Sequence, residues 1–217
     1  MRAVIFDLWD TLVLWSPEGH VDVVTRSAAH VGVEPEALRR ALDETHDERS
    51  VGPLLDNVRV VLAKLGVDAN HAEAVAGLRR EHTRSVLMPR EGAVETLEEL
   101  DRRGFRRGLI SVCSSDVEEV WDETPLAQHL DDVVLSCVVG LRKPDPQIYL
   151  LACERLGVEP HECLFVGDGA NDELAGAERV GMRTVCILRP GADEALWPEA
   201  RGWEPTIRNL REVLELV

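Results

Sequence analysis

Ala3-Val4-Ile5-Phe6-Asp7-Leu8-Trp9-Asp10-Thr11-Leu12 opens the chain with an apolar run that ends in a carboxylate. The Val, Ile and Phe residues of this run are typical of a strand buried on both faces of a sheet. An ionised aspartate at the end of such a strand is costly to bury unless a cation or hydrogen-bond donors lie beside it. Ligands of open parallel sheets collect at the carboxyl ends of strands, where Asp7 would lie. Asp7 is therefore a candidate functional residue, although this segment alone leaves open that it only begins a turn.

The composition indicates a packed, acidic protein. The chain has 217 residues, is 45% hydrophobic and carries a formal net charge of −16. These values predict a folded core and argue against nucleic acid or an anionic membrane as a partner. The five cysteines are odd in number and lack a CxxC spacing, and the N-terminal segment is unlike a signal peptide. We therefore expect reduced thiols and a cytoplasmic protein.

The segment that follows the first strand has a helical pattern throughout. Apolar residues recur with a 3.6-residue period over 54–65, and Gly66 ends that run. No strand pattern occurs between about residue 16 and residue 87. A helical insertion after one strand predicts a second, smaller domain. We expect a core made of residues 1–14 and 88–217, and a helical cap made of residues 15–87.

From residue 88 onward, helix and strand patterns alternate. The predicted strands after the first are 106–112, 132–136, 162–166 and 183–188. Five strands separated by helices predict an α/β fold with a doubly wound parallel sheet. The pattern of residues 206–216 predicts a final helix that covers the sheet.

A second pair of carboxylates follows another buried strand, in Gly167-Asp168-Gly169-Ala170-Asn171-Asp172. The glycines that flank Asp168 allow a tight turn and a close approach of the backbone. Asp172 would lie in the first turn of the next helix, where it is either functional or only a cap. Asp7 and Asp168 on adjacent strands would form an all-oxygen site, which suits Mg²⁺ far better than zinc.

Lys143 is unusual because it is one of only two lysines among 24 cationic residues. A compact ammonium at this position, beside Asp7, would offset the charge of carboxylates and of a phosphate. Ser111, at the end of the strand that starts at Arg106, is a weaker candidate for a hydroxyl that binds an anion, since serine after a strand is commonly just a turn residue.

In their order and approximate spacing, the four segments resemble the motifs of the haloacid dehalogenase-like (HAD) hydrolase superfamily. The resemblance spans nearly the whole chain. It implies a Rossmann-like core with a helical cap inserted after the first motif. It also implies that the strand before Asp7 is central and that the strand before Asp168 is its neighbour.

The resemblance also implies roles for individual residues. Asp7 would be the nucleophile that attacks phosphorus and forms an aspartyl-phosphate, while Lys143 would stabilise the nucleophile and the phosphoryl group. Thr11 and Ser111 would help to hold the phosphate. Mg²⁺ would be the cofactor, and its implied ligands are Asp7, the backbone carbonyl of Trp9 and Asp168, with Asp172 supporting the site.

Trp9 is the main departure from that family. Its phosphatases usually carry aspartate two residues after the nucleophile, where it protonates the leaving oxygen and later activates water. Trp9 can do neither, and loss of a general acid/base typically costs about 10² to 10⁴ in rate. Asp10 would point to the opposite side if the strand pleat continued, so it is a weak substitute. Val112, where many relatives have asparagine, is a smaller departure.

Three functions remain open from the sequence. The first is a Mg²⁺-dependent phosphatase that acts on a small phosphorylated metabolite and favours good leaving groups. The second is a non-catalytic module that binds phosphate and metal. The third is a 2-haloacid dehalogenase, because these relatives also have an aromatic residue at the position of Trp9. Asp168 favours the phosphatase, since the dehalogenases generally lack that carboxylate.

Overall fold

The fold is built around one parallel β-sheet. The computed structural model describes residues 1–46 and 49–217. Its strands are β1 (Ala3–Phe6), β2 (Arg106–Ser111), β3 (Asp132–Leu135), β4 (Cys163–Gly167), β5 (Arg183–Ile187) and β6 (Thr206–Ile207). In the described residues these six strands form one sheet, in the order β3-β2-β1-β4-β5-β6. The predicted α/β class, the central position of β1 and the neighbouring position of β4 are confirmed.

Strand β1 is fully buried because it lies in the middle of the sheet. Phe6, its last residue, pairs with Leu109 of β2 on one side and with Val166 of β4 on the other. The ladder continues one residue further, since the backbone N–H of Asp7 donates to the carbonyl of Val166 at 2.9 Å. This register brings Asp7 to the carboxyl edge of the sheet, next to the end of β4.

Helices cover both faces of the sheet and also form a separate block in the first half of the chain. They are α1 (Pro17–Val31), α2 (Pro35–Glu44), α3 (Leu54–Lys64), α4 (Ala72–Val86), α5 (Ala93–Arg102), α6 (Ser115–Val120), α7 (Ser136–Val139), α8 (Pro146–Leu156) and α9 (Glu173–Arg179). Alternate residues of β1 point to opposite faces. Phe6 packs in the cluster that contains Leu97 of α5, while Ile5 packs in the cluster that contains Ile148 of α8.

Helices α1 to α4 form a helical block, residues 17–86, between β1 and α5. No strand occurs in its described residues, 17–46 and 49–86. The block has apolar clusters of its own, one around Leu62 and one around Leu38. Its α4 contacts α6 of the sheet layer through charged side chains, a contact that we call the α4–α6 interface. The predicted division of the chain at residues 14 and 87 stays a prediction.

The C-terminal segment differs from the sequence prediction. Residues 206–216 were expected to form one helix, but Thr206–Ile207 is the sixth strand and Leu210–Glu215 is a 3₁₀ helix. Ile187 and Ile207 pair across β5 and β6, and a strand of two residues is too short to show an alternating pattern. Asn209 starts the 3₁₀ helix, because its side chain accepts the N–H of Arg211. In the described residues, no helix combines the length and apolarity needed to cross a membrane.

Candidate active site

Three carboxylates meet at the carboxyl edge of β1 and β4. One oxygen each of Asp7, Asp168 and Glu173 lies within 4.8 Å of the others, and all three residues are buried. Asp7 follows β1 and Asp168 follows β4, so their proximity is a consequence of the parallel register. Glu173 begins α9. Buried carboxylates repel one another and demand a cation.

Lys143 supplies a positive charge to this cluster. Its Nζ donates to Asp7 Oδ1 at 2.5 Å and also donates to Glu173 Oε2. Burial by itself would lower the pKa of Lys143, but the negative charges of Asp7 and Glu173 and the hydrogen bonds to both raise it above its ordinary value. The side chain is therefore a permanent ammonium. Its position is set by α8, which Asp145 caps by accepting the N–H of Gln147.

Glu173 was not identified from the sequence. Asn171 and Asp172 both have a left-handed backbone, with φ of 55° and 56°, and α9 begins only at Glu173. Asp172, the predicted supporting residue, consequently has an exposed side chain. Glu173 is fully buried, and burial raises its pKa well above the ordinary value. Its carboxylate packs against Gly167, where any Cβ would overlap it.

Asp168 is held by two donors. Its Oδ1 accepts the N–H of Ala170 at 3.1 Å, and its Oδ2 accepts the indole N–H of Trp197 at 2.6 Å. Burial, followed by the charge of Asp7, raises the pKa of Asp168 to about 6. Trp197 lies in the connection between β5 and β6, which the sequence shows only as a loose segment rich in proline and tryptophan.

Thr11 and Ser111, the predicted phosphate-binding residues, lie at the ends of the first two motifs. Both hydroxyl oxygens are buried, and neither has a hydrogen-bond partner in the described residues. An unpartnered buried hydroxyl costs free energy, so such groups in native proteins usually await a ligand or water. Unpartnered hydroxyls of this kind can donate to the oxygens of an anion.

Trp9 and Asp10 take different directions after β1. Trp9 is half-buried, packs against the core and lines a cleft. Asp10 is bound elsewhere, because its Oδ1 accepts the N–H of Trp15 at 3.1 Å and pairs with Arg189 at 3.1 Å. Burial raises the pKa of Asp10 from its ordinary value. These contacts give the Asp10 carboxylate a structural role, and that role competes with a role as general acid.

The cleft beside Trp9 lies between the helical block and the carboxyl edge of the sheet. It has a volume of about 360 Å³ and is also lined by Val112, which follows Ser111, and by Arg142, which precedes Lys143. Its walls on the other side come from α1, α2 and α4. Histidines 20, 46 and 82, which have no ligand spacing in the sequence, lie in these walls. Only the fold brings them together.

Comparison with known proteins gives one consistent result. The model of the haloacid dehalogenase-like hydrolase family matches residues 1–181. Glyceraldehyde 3-phosphate phosphatase of Methanopyrus kandleri is 28% identical over 100% of this chain and 97% of its own length. (S)-2-haloacid dehalogenase 4A of Burkholderia cepacia is 33% identical over 88% of this chain and 84% of its own length.

A solved structure agrees with this result. The HAD phosphatase of Thermococcus onnurineus has a TM-score of 0.71 and 26% identity, and the match covers 100% of this chain and 97% of that chain. The family match includes the strands that precede Asp7 and Asp168, as well as Lys143 between them. The buried cluster thus lies within the part of the chain that the family shares, and this protein belongs to the haloacid dehalogenase-like hydrolases.

Proposed function

We propose that this hydrolase is a Mg²⁺-dependent phosphatase of a small phosphorylated metabolite, with Asp7 as its nucleophile. The observation that carries the proposal is the cluster in which Lys143 contacts Asp7 and Glu173 while Asp168 lies beside them. Phosphoryl transfer depends mainly on positioning and charge neutralisation. Glyceraldehyde 3-phosphate phosphatase among the relatives supports the same reaction class.

The residues present fit a Mg²⁺ ion. Three buried carboxylates share one ammonium in the described residues, so the cluster has an excess of negative charge. All donors are oxygens, with no sulfur or imidazole in the cluster, and Mg²⁺ prefers such ligands. Asp7, Asp168 and the backbone carbonyl of Trp9 would hold the ion, and Glu173 takes the supporting position that the sequence predicts for Asp172. When bound, Mg²⁺ would neutralise charge on the phosphoryl group.

The chain's own residues supply the first step. A carboxylate oxygen of Asp7 forms a bond to phosphorus while the bond from phosphorus to the leaving oxygen breaks, and the leaving oxygen departs with the electron pair. Lys143, already within hydrogen-bond distance of Asp7, aligns the nucleophile and offsets the charge of the phosphoryl oxygens. The hydroxyls of Thr11 and Ser111 donate to those oxygens. A water oxygen then forms a bond to phosphorus while the bond from phosphorus to the Asp7 oxygen breaks. The proton of the water passes to the released phosphate, and the Asp7 carboxylate is restored.

Trp9 sets the choice of leaving group. It offers no proton to the departing oxygen, and the carboxylate of Asp10 is bound by Trp15 and Arg189. Acyl and aryl phosphates, whose leaving groups are stable as anions, should therefore be hydrolysed far faster than alkyl phosphates. The expected penalty on alkyl esters is about 10² to 10⁴. Replacing Trp9 with aspartate should raise the turnover of alkyl esters.

The test is turnover of acetyl phosphate and para-nitrophenyl phosphate, with Mg²⁺ and with EDTA. Activity that needs Mg²⁺ and disappears in Asp7→Asn would support the proposal. Glu173→Gln should also lose activity, while Asp172→Asn, at the exposed neighbouring position, should lose much less. Equal rates on aryl and alkyl phosphates would contradict the role given to Trp9.

A 2-haloacid dehalogenase is the second candidate, favoured by Trp9 and by the 33% identity to a protein with that name. Such a reaction would attack carbon and release halide. The carboxylates of Asp168 and Glu173 would have no evident role in it, because they add negative charge beside an anionic substrate. Halide release from 2-chloropropionate in the presence of EDTA, with no phosphatase activity, would establish this function instead.

A further inference from the structure

The cleft beside Trp9 has a charge opposite to that of the whole protein. Four arginines, at positions 39, 49, 79 and 142, line it, against the two carboxylates of Asp43 and Asp116. The chain as a whole carries a net charge of −16. A cleft with low-dielectric walls focuses such a local field and concentrates ligands of the opposite sign.

Within residues 1–46 and 49–217, most of the arginines that line the cleft form no ion pair. Arg79 is paired, at 2.9 Å, with Asp116. Arg49, in contrast, donates to the neutral hydroxyl of Thr45 at 2.9 Å and to the carbonyl of Leu42 at 2.5 Å. Neither acceptor carries a negative charge, so these two hydrogen bonds do not neutralise the guanidinium of Arg49.

Arg39 has an unsatisfied donor. Its Nε is buried and has no hydrogen-bond partner in residues 1–46 and 49–217. Within the same residues, Arg39 forms no ion pair with a carboxylate. A buried guanidinium N–H without an acceptor is costly, and an anionic oxygen would satisfy it with a charge-assisted hydrogen bond.

Two of the three cleft histidines, His20 and His82, have lowered pKa values, as expected in a positively charged environment. Burial is the largest cause that lowers the pKa of each, and the charge of Arg79 lowers both further. Arg39 adds to the effect on His20. Neutral histidines can accept or donate hydrogen bonds to a ligand without adding to the charge.

Residues that line the cleft are close in sequence to the residues of the proposed phosphate site. Trp9, Val112 and Arg142 line it, and each lies within two residues of Asp7, Ser111 or Lys143. A substrate whose phosphate contacts Asp7 would therefore extend its remaining atoms past Trp9 toward α2, which carries Arg39. The volume of about 360 Å³ suits a small metabolite.

We propose that the substrate carries a second anionic group, which Arg39 binds in this cleft. The proposal rests on the proposed phosphatase function and narrows its substrate to small phosphorylated compounds with an anion at the far end. The second anion is a carboxylate or another phosphoryl group, since a guanidinium binds the oxygens of both.

The test compares substrates that differ only at the far end. The probes are 4-carboxyphenyl phosphate, its neutral isostere 4-carbamoylphenyl phosphate and 4-phosphonophenyl phosphate. We expect kcat/KM to be at least tenfold higher for an anionic probe than for the carbamoyl probe. This preference should fall at least tenfold in Arg39→Met. Arg40→Met is the matched control, because Arg40 is the exposed neighbour on α2 and does not line the cleft.

A binding measurement distinguishes failure of this proposal from failure of the phosphatase proposal. Calorimetric titration of Asp7→Asn with the same probes measures the preference without turnover. One outcome is that wild type hydrolyses no phosphate ester, yet an anionic probe binds at least tenfold tighter than the carbamoyl probe and Arg39→Met removes that difference. The phosphatase function then fails and the anion site stands. Equal affinity for the carboxy, phosphono and carbamoyl probes would overturn the anion site, and so would a preference that survives in Arg39→Met. The carboxy and phosphono probes together decide which anion is preferred.

Discussion

Replacing Asp116 with asparagine should weaken the protein through the α4–α6 interface. Asp116 is buried at the start of α6 and accepts a charged hydrogen bond from Arg79 at 2.9 Å and one from the hydroxyl of Thr83 at 2.5 Å. Burial alone would raise its pKa, but the charge of Arg79 and the hydrogen bonds outweigh burial and lower it from 3.8 to about 2. Lowering the pKa by this amount corresponds to about 2 kcal/mol of folding free energy.

The sign of the pH dependence follows from linkage. A carboxylate whose pKa is depressed in the folded state contributes stability above its unfolded pKa and loses that contribution as pH falls through its folded pKa. The contribution of Asp116 should therefore be complete above pH about 4 and largely absent near pH 2. The difference in unfolding free energy between wild type and Asp116→Asn should shrink over the same interval.

Urea unfolding at a series of pH values measures this difference. At pH 7 we expect a loss of about 2 kcal/mol, which for a domain of this size lowers Tm by about 4–8 °C. Glu123→Gln is the control, because Glu123, three residues past the end of α6, pairs with Arg84 of α4 and both side chains are about half exposed. This substitution should leave stability unchanged. An Asp116→Asn protein as stable as wild type at pH 7, or a difference that persists down to pH 2, would refute the reasoning.

Three further predictions concern the proposed metal site and the loop that carries Asp168. Gly169→Ala should lower Tm by several degrees in a thermal melt, since its φ is 92° and a Cβ there would overlap Ala200; an unchanged Tm would contradict the close contact. Trp197→Phe should weaken Mg²⁺ binding several-fold in a calorimetric titration, because Asp168 loses a donor, whereas Trp203→Phe, in the same connection, should not. Adding Mg²⁺ should raise the Tm of wild type and not that of Asp168→Asn, and equal increases would place the ion elsewhere.

The central part of the site could be predicted because it follows buried strands. Asp7 and Asp168 each end an apolar run, and parallel pairing leaves little freedom in where such residues lie. Lys143 could be predicted because a lysine is rare in this chain and precedes a helix with a clear N-terminal signal. The order and spacing of the four motifs then predicted the family, and the match over residues 1–181 confirms that prediction.

Other parts could not be predicted, for identifiable physical reasons. The choice between Asp172 and Glu173 depends on two consecutive left-handed residues, and adjacent positions of a helix start point in different directions. Asn and Asp tolerate this conformation better than most residues. The pair Asn171-Asp172 was therefore a sign of left-handed backbone, but the sequence was interpreted as the first turn of a regular helix. Arg39 and the cleft histidines come from separate helices, and only tertiary packing reveals their shared wall.

The segment after β5 lies beyond the part of the chain that the family model matches, which ends at residue 181. Nevertheless, Trp197 contacts Asp168, and Arg189 contacts Asp10. The residues that the family model matches thus include the candidate reacting groups, while a segment beyond that match contacts Asp168 and Asp10. We therefore expect that relatives with identical motifs can differ in metal affinity or pH profile through residues outside those motifs. A survey of substrate preference across the family should sort proteins by this C-terminal connection as well as by their helical block.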